Sequence, residues 1–327
     1  MWKGAVVGSH IMRTLVTRYG LVLAWLVVII IFTALGAPGF LSAGNFSTIF
    51  GSQAVLLIVA LALMIPATTG EFDLSVAGTL GMGMILTTVL TVEHGWPLAA
   101  SIAVALLVGV VVGLVNAFLI VTVGIMSLIA TLGTGTVLTG LGYLIIPSVV
   151  TGDFGVLTTI TRTEFLGIPL LFYYGLALTI VLWYVYAFTA LGRYLFFSGS
   201  SPEVARLAGV NVTRIRVGAL LVCAVLSALA GVLLAGDLGS GSPTASASFL
   251  FPTFAAAFLG STAVTPGRFN PWGTFIAVYF LVTGITGLQL MGYVGWVPQV
   301  FYGASLVIAV AISKLTVRSD EVLLAST

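Results

Sequence analysis

Charge is scarce in this chain. Asp, Glu, Lys and Arg make up 6% of its 327 residues, against about 25% in an ordinary soluble domain. That is too little to solvate a globular surface, so a water-soluble domain is excluded. Histidine and cysteine are nearly absent, with two of the first and one of the second. The lone Cys223 cannot form an intrachain disulfide, and it lies in an apolar run where plain packing accounts for it. No grouping of ligand residues suggests a metal, and none is expected. There is no HExxH pattern and no GxxxxGK followed by Ser or Thr; the glycine-rich Thr131–Gly135 stretch lacks the lysine and the strand of a phosphate loop. No catalytic residues are therefore expected. His10 and His94 stand in no spaced series of acids, which disfavours a proton relay. The eleven basic residues form no stripe, so no nucleic-acid partner is expected.

What the chain does have is lipid solubility. Hydrophobic residues make up 60% of it, and its mean hydropathy is +1.23. Apolar runs recur from Leu21 to Ile312, and about 20 such residues span a bilayer as a helix. Ten spans are predicted, at 20–36, 48–68, 73–92, 97–120, 125–147, 168–190, 215–236, 252–265, 272–290 and 298–313. Pro97, Pro169, Pro252, Pro271 and Pro298 stand at or beside their starts, where a missing amide costs no helical bond. The eighth span is the shortest and could be tilted or partly re-entrant. The fold class is an all-α polytopic membrane protein, one transmembrane domain over 1–327. The first apolar segment could imitate a signal peptide, but the long basic region before it favours an uncleaved helix.

The few charges are sorted. With alternating spans and a cytoplasmic N-terminus, Lys3, Arg13, Arg18, Arg193, Arg206, Arg214, Arg216, Arg268, Lys314 and Arg318 all fall inside, and only Arg162 falls outside. This obeys the positive-inside rule and places both termini in the cytoplasm. The helix with Ser127, Thr131, Thr134, Thr136 and Thr139 is unusually polar, so it is expected inside the bundle, where those residues could line a path. Gly109 with Gly113, and Ser227 with Gly231, have the small-xxx-small spacing of close helix contacts.

Two breaks in the apolar pattern hold the candidate functional residues. The first runs from Pro66 to Ser75 and contains Glu71 and Asp73, acids that need water, a cap or a partner so close to hydrocarbon. Asp73 or Thr69 could cap the next helix. Glu71, Asp73 and Ser75 could form a turn at the cytoplasmic boundary, or a gate or contact to an energising subunit. The second break is the inner loop at 191–215. Ser201, Pro202 and Glu203 read as a helix start, and Gly209 as its stop. Val204, Leu207 and Ala208 would lie near one another, with Arg206 pointing elsewhere. A two-turn helix is marginal in water, so either the membrane surface or a cytoplasmic partner must pack on it.

Several segments together resemble the ribose/xylose-type permeases of bacterial ABC importers, within the branched-chain/sugar permease superfamily. Thr69–Val76 is similar to that family's Gly-Gly-Ile-Asp-Leu-Ser-Val, and Leu128–Thr134 to its Phe-Ile-Ala-Thr-Leu-Gly-Thr. Thr189–Arg193, Ala205–Asn211, Phe258–Gly260 and Gly267–Thr274 extend the likeness over most of the chain. Glu71-Phe72 stands where Gly-Ile is commoner. The resemblance implies an ABC importer permease fold in the bacterial inner membrane. It also implies a second permease chain, identical or homologous, a cytoplasmic ATPase carrying ATP and Mg, and a periplasmic binding protein delivering a small sugar. Ser201 to Gly209 would be the coupling helix that docks on the ATPase, with no cofactor on this chain. Apart from the resemblance, an autonomous secondary transporter of a small solute, a permease for a non-sugar solute and a scaffold without transport remain as alternatives.

Overall fold

The computed structural model describes the backbone of residues 3–325 and the side chains of residues 18–311. The charges of Lys3, Arg13, Lys314, Arg318, Asp320 and Glu321 lie outside the described side chains. In chain order the helices are α1 (Lys3–Ala34), α2 (Ala43–Ser52), α3 (Ala54–Thr68), α4 (Val76–Thr88), α5 (Leu98–Ala117), α6 (Ser127–Ile145), α7 (Val156–Arg162), α8 (Leu170–Phe188), α9 (Ala190–Ser200), α10 (Pro202–Leu207), α11 (Val212–Leu238), α12 (Leu250–Gly260), α13 (Pro271–Leu290) and α14 (Val297–Ala325). Single π-helical turns, Val89–Glu93 and Phe118–Thr122, extend α4 and α5. Four two-residue strands form two small antiparallel pairs.

Among the described residues, seven stretches are long and apolar enough to cross a membrane. They are α2 with α3, α4, α5, α6, α8, α11 and α13. Shorter apolar helices at Arg18–Ala34, Ala245–Gly260 and Val297–Ala311 coincide with the other three predicted spans. The helix before the break ends at Thr68, as expected, with Thr68 Oγ1 donating to Met64 O at 2.8 Å and Thr69 N and Oγ1 both donating to Pro66 O at 2.8 Å. One boundary differs for a local reason. The span expected to reach residue 265 stops at Gly260, where Ser261 and Thr262 hydroxyls turn back to Phe258 O and Leu259 O at 2.7 Å.

The chain forms two compact units, Met1–Gln53 with Phe254–Thr327, and Ala54–Thr253. In the first, α1 runs beside α13. Trp25 Nε1 donates to Thr283 Oγ1 at 2.9 Å, and Gly287 leaves room for the Phe32 ring. The turn between α12 and α13 is held by one side chain. Asn270 Oδ1 accepts from Gly273 N at 2.7 Å, and its amide donates toward Gly260 O, Ala263 O and Arg268 O.

In the second unit all fifteen residues of α3 are buried, as an all-round apolar helix requires. Helix α11 lies between α4 and α5, and small residues make this possible. A Cβ at Gly83 would strike the Ala228 carbonyl, and one at Gly231 the Leu80 carbonyl and Met84 amide. Gly109 and Gly113 face Ala224, Ala228 and Leu221 of α11, so the expected small-residue face on α5 has its partner. Met82, Val112, Leu138 and Ala224 then close one apolar cluster across four helices. Helix α6 does not sit inside the bundle, contrary to expectation. It packs on α4 and α5 along one flank only, and most of its surface faces outward from the chain. Its polarity is internalised instead: the Thr134, Thr136 and Thr139 hydroxyls bond the carbonyls of Ala130, Leu132 and Gly135 at 2.8–3.0 Å.

Candidate functional site

The acidic break is a short irregular segment between two buried helices. Gly70 makes the turn with φ +86, a conformation costly for any residue with a side chain. Neither Asp73 nor Thr69 caps α4, as the sequence suggested. Ser75 is the N-cap residue of α4 and makes no side-chain cap bond, and Thr69 is engaged by Pro66. Asp73 folds back on the segment itself, its Oδ1 accepting from Ser75 N at 2.8 Å and Ser75 Oγ at 2.6 Å.

Neighbouring helices hold the break in place. From α5, Asn116 Nδ2 donates to Ser75 Oγ at 2.8 Å. From the first two turns of α6, Ser127 Oγ accepts from Phe72 N at 3.3 Å and Thr131 Oγ1 accepts from Leu74 N at 2.9 Å. From α11, Arg216 pairs with Glu71. From α9, Gly199 is seated against the Thr68 carbonyl and Thr69, and Tyr186 of α8 meets Thr68 Oγ1 at 3.0 Å. Asp73, Ser75, Asn116 and Thr131 are fully buried. Burial pushes the Asp73 carboxyl above its ordinary 3.8, while Ser75, the Cys223 thiol and Asn116 pull the other way. Asp73 Oδ2 and Asn116 Oδ1 are buried without hydrogen-bond partners.

The inner loop contains the helix that was expected there. Pro202 occupies its first position, Glu203 and Arg206 lie in its first and last turns, and Gly209 ends it with φ +81. Ser201 is the N-cap residue but its hydroxyl makes no cap bond, which corrects the expected cap. The helix is six residues long and rests on Ala205 alone. Val204 is 62% exposed and Leu207 90%, with Ala208 exposed beside them. Asn211 then caps α11, its Oδ1 accepting Arg214 N at 3.0 Å.

The expected site residues therefore fall into three places. Glu71, Asp73 and Ser75 form the break, and Ser127 and Thr131 join it from α6. Thr134 and Thr139 are half-buried further along α6 and Thr136 is exposed. Residues 201–209 form the separate surface helix. Sequence reasoning missed Asn116, Arg216 and Gly199. Asn116 had a signal, as the one amide side chain in the apolar run of α5. Arg216 and Gly199 had none, because their partner is more than a hundred residues away.

Apolar helices of spanning length, tied at one end by a buried polar knot, define a multi-pass helical membrane protein. The chain belongs to the permease family described as branched-chain amino acid transport system / permease component, whose model matches residues 45–310. It is similar to the autoinducer 2 import system permease protein LsrD of Salmonella typhi, with 31% identity covering 81% of this chain and 82% of that one. LsrD of Photorhabdus laumondii is 32% identical over 81% of each chain. The fructose import permease protein FrcC of Rhizobium meliloti is 29% identical over 84% of this chain and 79% of that one. These relatives are transport permeases, and the chain is a multi-pass inner-membrane protein.

Proposed function

We propose that this chain is the membrane-spanning subunit of an ATP-driven importer for a monosaccharide or related simple sugar. The observation that carries this is α10. A six-residue helix has too few internal bonds to hold itself in water, and its apolar Leu207 and Val204 point away from the chain. Such a surface calls for a cover, and the positive-inside sorting puts it in the cytoplasm, where the ATPase of an importer sits. The import permeases to which the chain is similar support a sugar or sugar-derived signal as cargo. A second permease chain, identical or homologous, completes the pathway. A periplasmic binding protein supplies the solute. ATP and Mg act on the ATPase, and no covalent chemistry occurs on this chain.

Within this arrangement Ser201 to Gly209 form the coupling element and Glu71, Asp73 and Ser75 the cytoplasmic turn beneath the pathway. Thr136, on the outward side of α6, faces that pathway, with Thr134 and Thr139 at the two edges of the packed face. The test is reconstitution in proteoliposomes with an importer ATPase and a sugar-binding protein, offered labelled D-ribose, D-xylose, D-fructose and autoinducer 2. Uptake of at least one, dependent on internal or external ATP at the ATPase face, is expected. Uptake driven by an ion gradient without the ATPase would replace this with a secondary transporter.

A further inference from the structure

The buried polar atoms without partners are not spread evenly. Among the described residues they are Asp73 Oδ2, Thr91 Oγ1, Asn116 Oδ1, Thr158 Oγ1, Ser198 Oγ, Arg216 Nε and Thr253 Oγ1. Four of them, on Asp73, Asn116, Ser198 and Arg216, lie in the break at 69–75 or on helices attached to it. Proteins pair nearly all such groups, so a local concentration needs a cause. Elsewhere in this unit the helices are locked by backbone-to-glycine contacts at Gly83, Gly109, Gly113 and Gly231, which leave little room for sliding. Rigid helices thus converge on one under-bonded joint, the kind of place at which a packed structure has a second arrangement.

The joint is wired on two sides. Toward the cytoplasm it touches the chain just before and just after α10. Gly199 of α9, seated on Thr68 and Thr69, lies three residues ahead of Pro202. Arg216 of α11, paired with Glu71, follows the Asn211 cap. Toward the membrane interior it is bonded to α6 through Ser127 and Thr131, and to α5 through Asn116. A displacement of α10 therefore reaches the break through a side-chain ion pair and a backbone contact, and leaves it through four hydrogen bonds, the fourth from Thr131 Oγ1 to Phe72 O at 3.2 Å. The ion pair is the one charged link in that route, and its Arg216 Nε is unpaired in this arrangement.

We infer that Glu71 and Arg216 are positioning residues for transport: their ion pair transmits movement of α10 into α5 and α6. The inference rests on the importer reading above and adds the route by which the ATPase would act. It is tested on the assembled permease–ATPase complex in nanodiscs, with a reporter cysteine at Leu132 on the outward face of α6 and the reporter-free complex as background. Labelling by a water-soluble maleimide is compared between the nucleotide-free and the ADP–vanadate-trapped states. The parent complex is expected to change its labelling rate at least fivefold. Glu71→Gln and Arg216→Gln should each reduce that change below twofold while the ATPase still co-purifies and hydrolyses ATP. Arg216→Lys should keep about half of the response, and the exchanged pair, Glu71→Arg with Arg216→Glu, should restore most of it. A full response in both glutamine variants overturns the inference, as does loss of ATPase association, which would make the pair part of the docking surface. If the parent complex itself fails to bind the ATPase or to respond to nucleotide, the importer reading fails first and the inference falls with it.

Discussion

Truncation of Leu207 gives a measurable test of the docking surface. The side chain is 90% exposed at the end of α10, so in the isolated chain it contributes almost nothing to packing. Changing it to alanine removes three carbons, worth about 0.8 kcal/mol each when buried. Allowing for the small part already covered, full burial against an ATPase makes the loss about 2 kcal/mol. At 1.4 kcal/mol per tenfold, the dissociation constant should rise roughly 30-fold. The measurement is a titration of fluorescent ATPase onto the permease in nanodiscs, at fixed nucleotide and salt, for the parent and Leu207→Ala. The melting temperature of the permease alone should stay within 1–2 °C (about the shift of a neutral surface change), because nothing in the chain leans on Leu207. An affinity loss below about threefold would mean that this apolar tip is not covered by the ATPase, and the reasoning from its exposure would be wrong.

Other expectations follow from the geometry. Gly231→Ala places a methyl against the Leu80 carbonyl and Met84 amide, so overpacking should destabilise the chain by about 1–3 kcal/mol in a detergent thermal melt; an unchanged melt would show that α4 and α11 can part. Asp73→Asn supplies a donor where Oδ2 has no partner. Because burial holds the folded-state pKa of Asp73 above 3.8, the native chain binds the proton more tightly than the unfolded one, and stability falls as pH rises from 3.8 toward that higher value. The variant should therefore melt higher than the parent at pH 8, and the advantage should shrink as pH falls toward 3.8; a shift that does not change with pH would refute the linkage. A cysteine replacing Ser201 should react with an impermeant maleimide from the cytoplasm, and labelling from the periplasm in intact cells would reverse the topology.

The spans were legible because hydropathy and charge sorting act over whole helices and survive errors of a few residues. Small-residue spacing marked the α5 face correctly, since Gly109 and Gly113 need a close neighbour whichever helix provides it. Placement of α6 was not legible. A row of threonines looks the same whether the hydroxyls are spent on water or close back on their own carbonyls, and only coordinates show Thr136 bonded to Leu132. The caps failed for a related reason. Ser201 and Asp73 stand at helix starts, yet Ser201 makes no cap bond and Asp73 turns back to Ser75 instead. The two acids of the break were visible as a problem needing partners, but the solution at Glu71 comes from Arg216, and distant pairing leaves no trace in spacing.

The back-bonded threonines of α6 have one more effect. Each gives its only hydroxyl proton to the helix, so the oxygen it turns outward can receive a hydrogen bond but has none to offer. A polyol meeting that flank would find lone pairs and methyl groups, and no grip strong enough to hold it. In the proposed pathway, a wall that accepts hydrogen bonds and donates none would favour passage over capture.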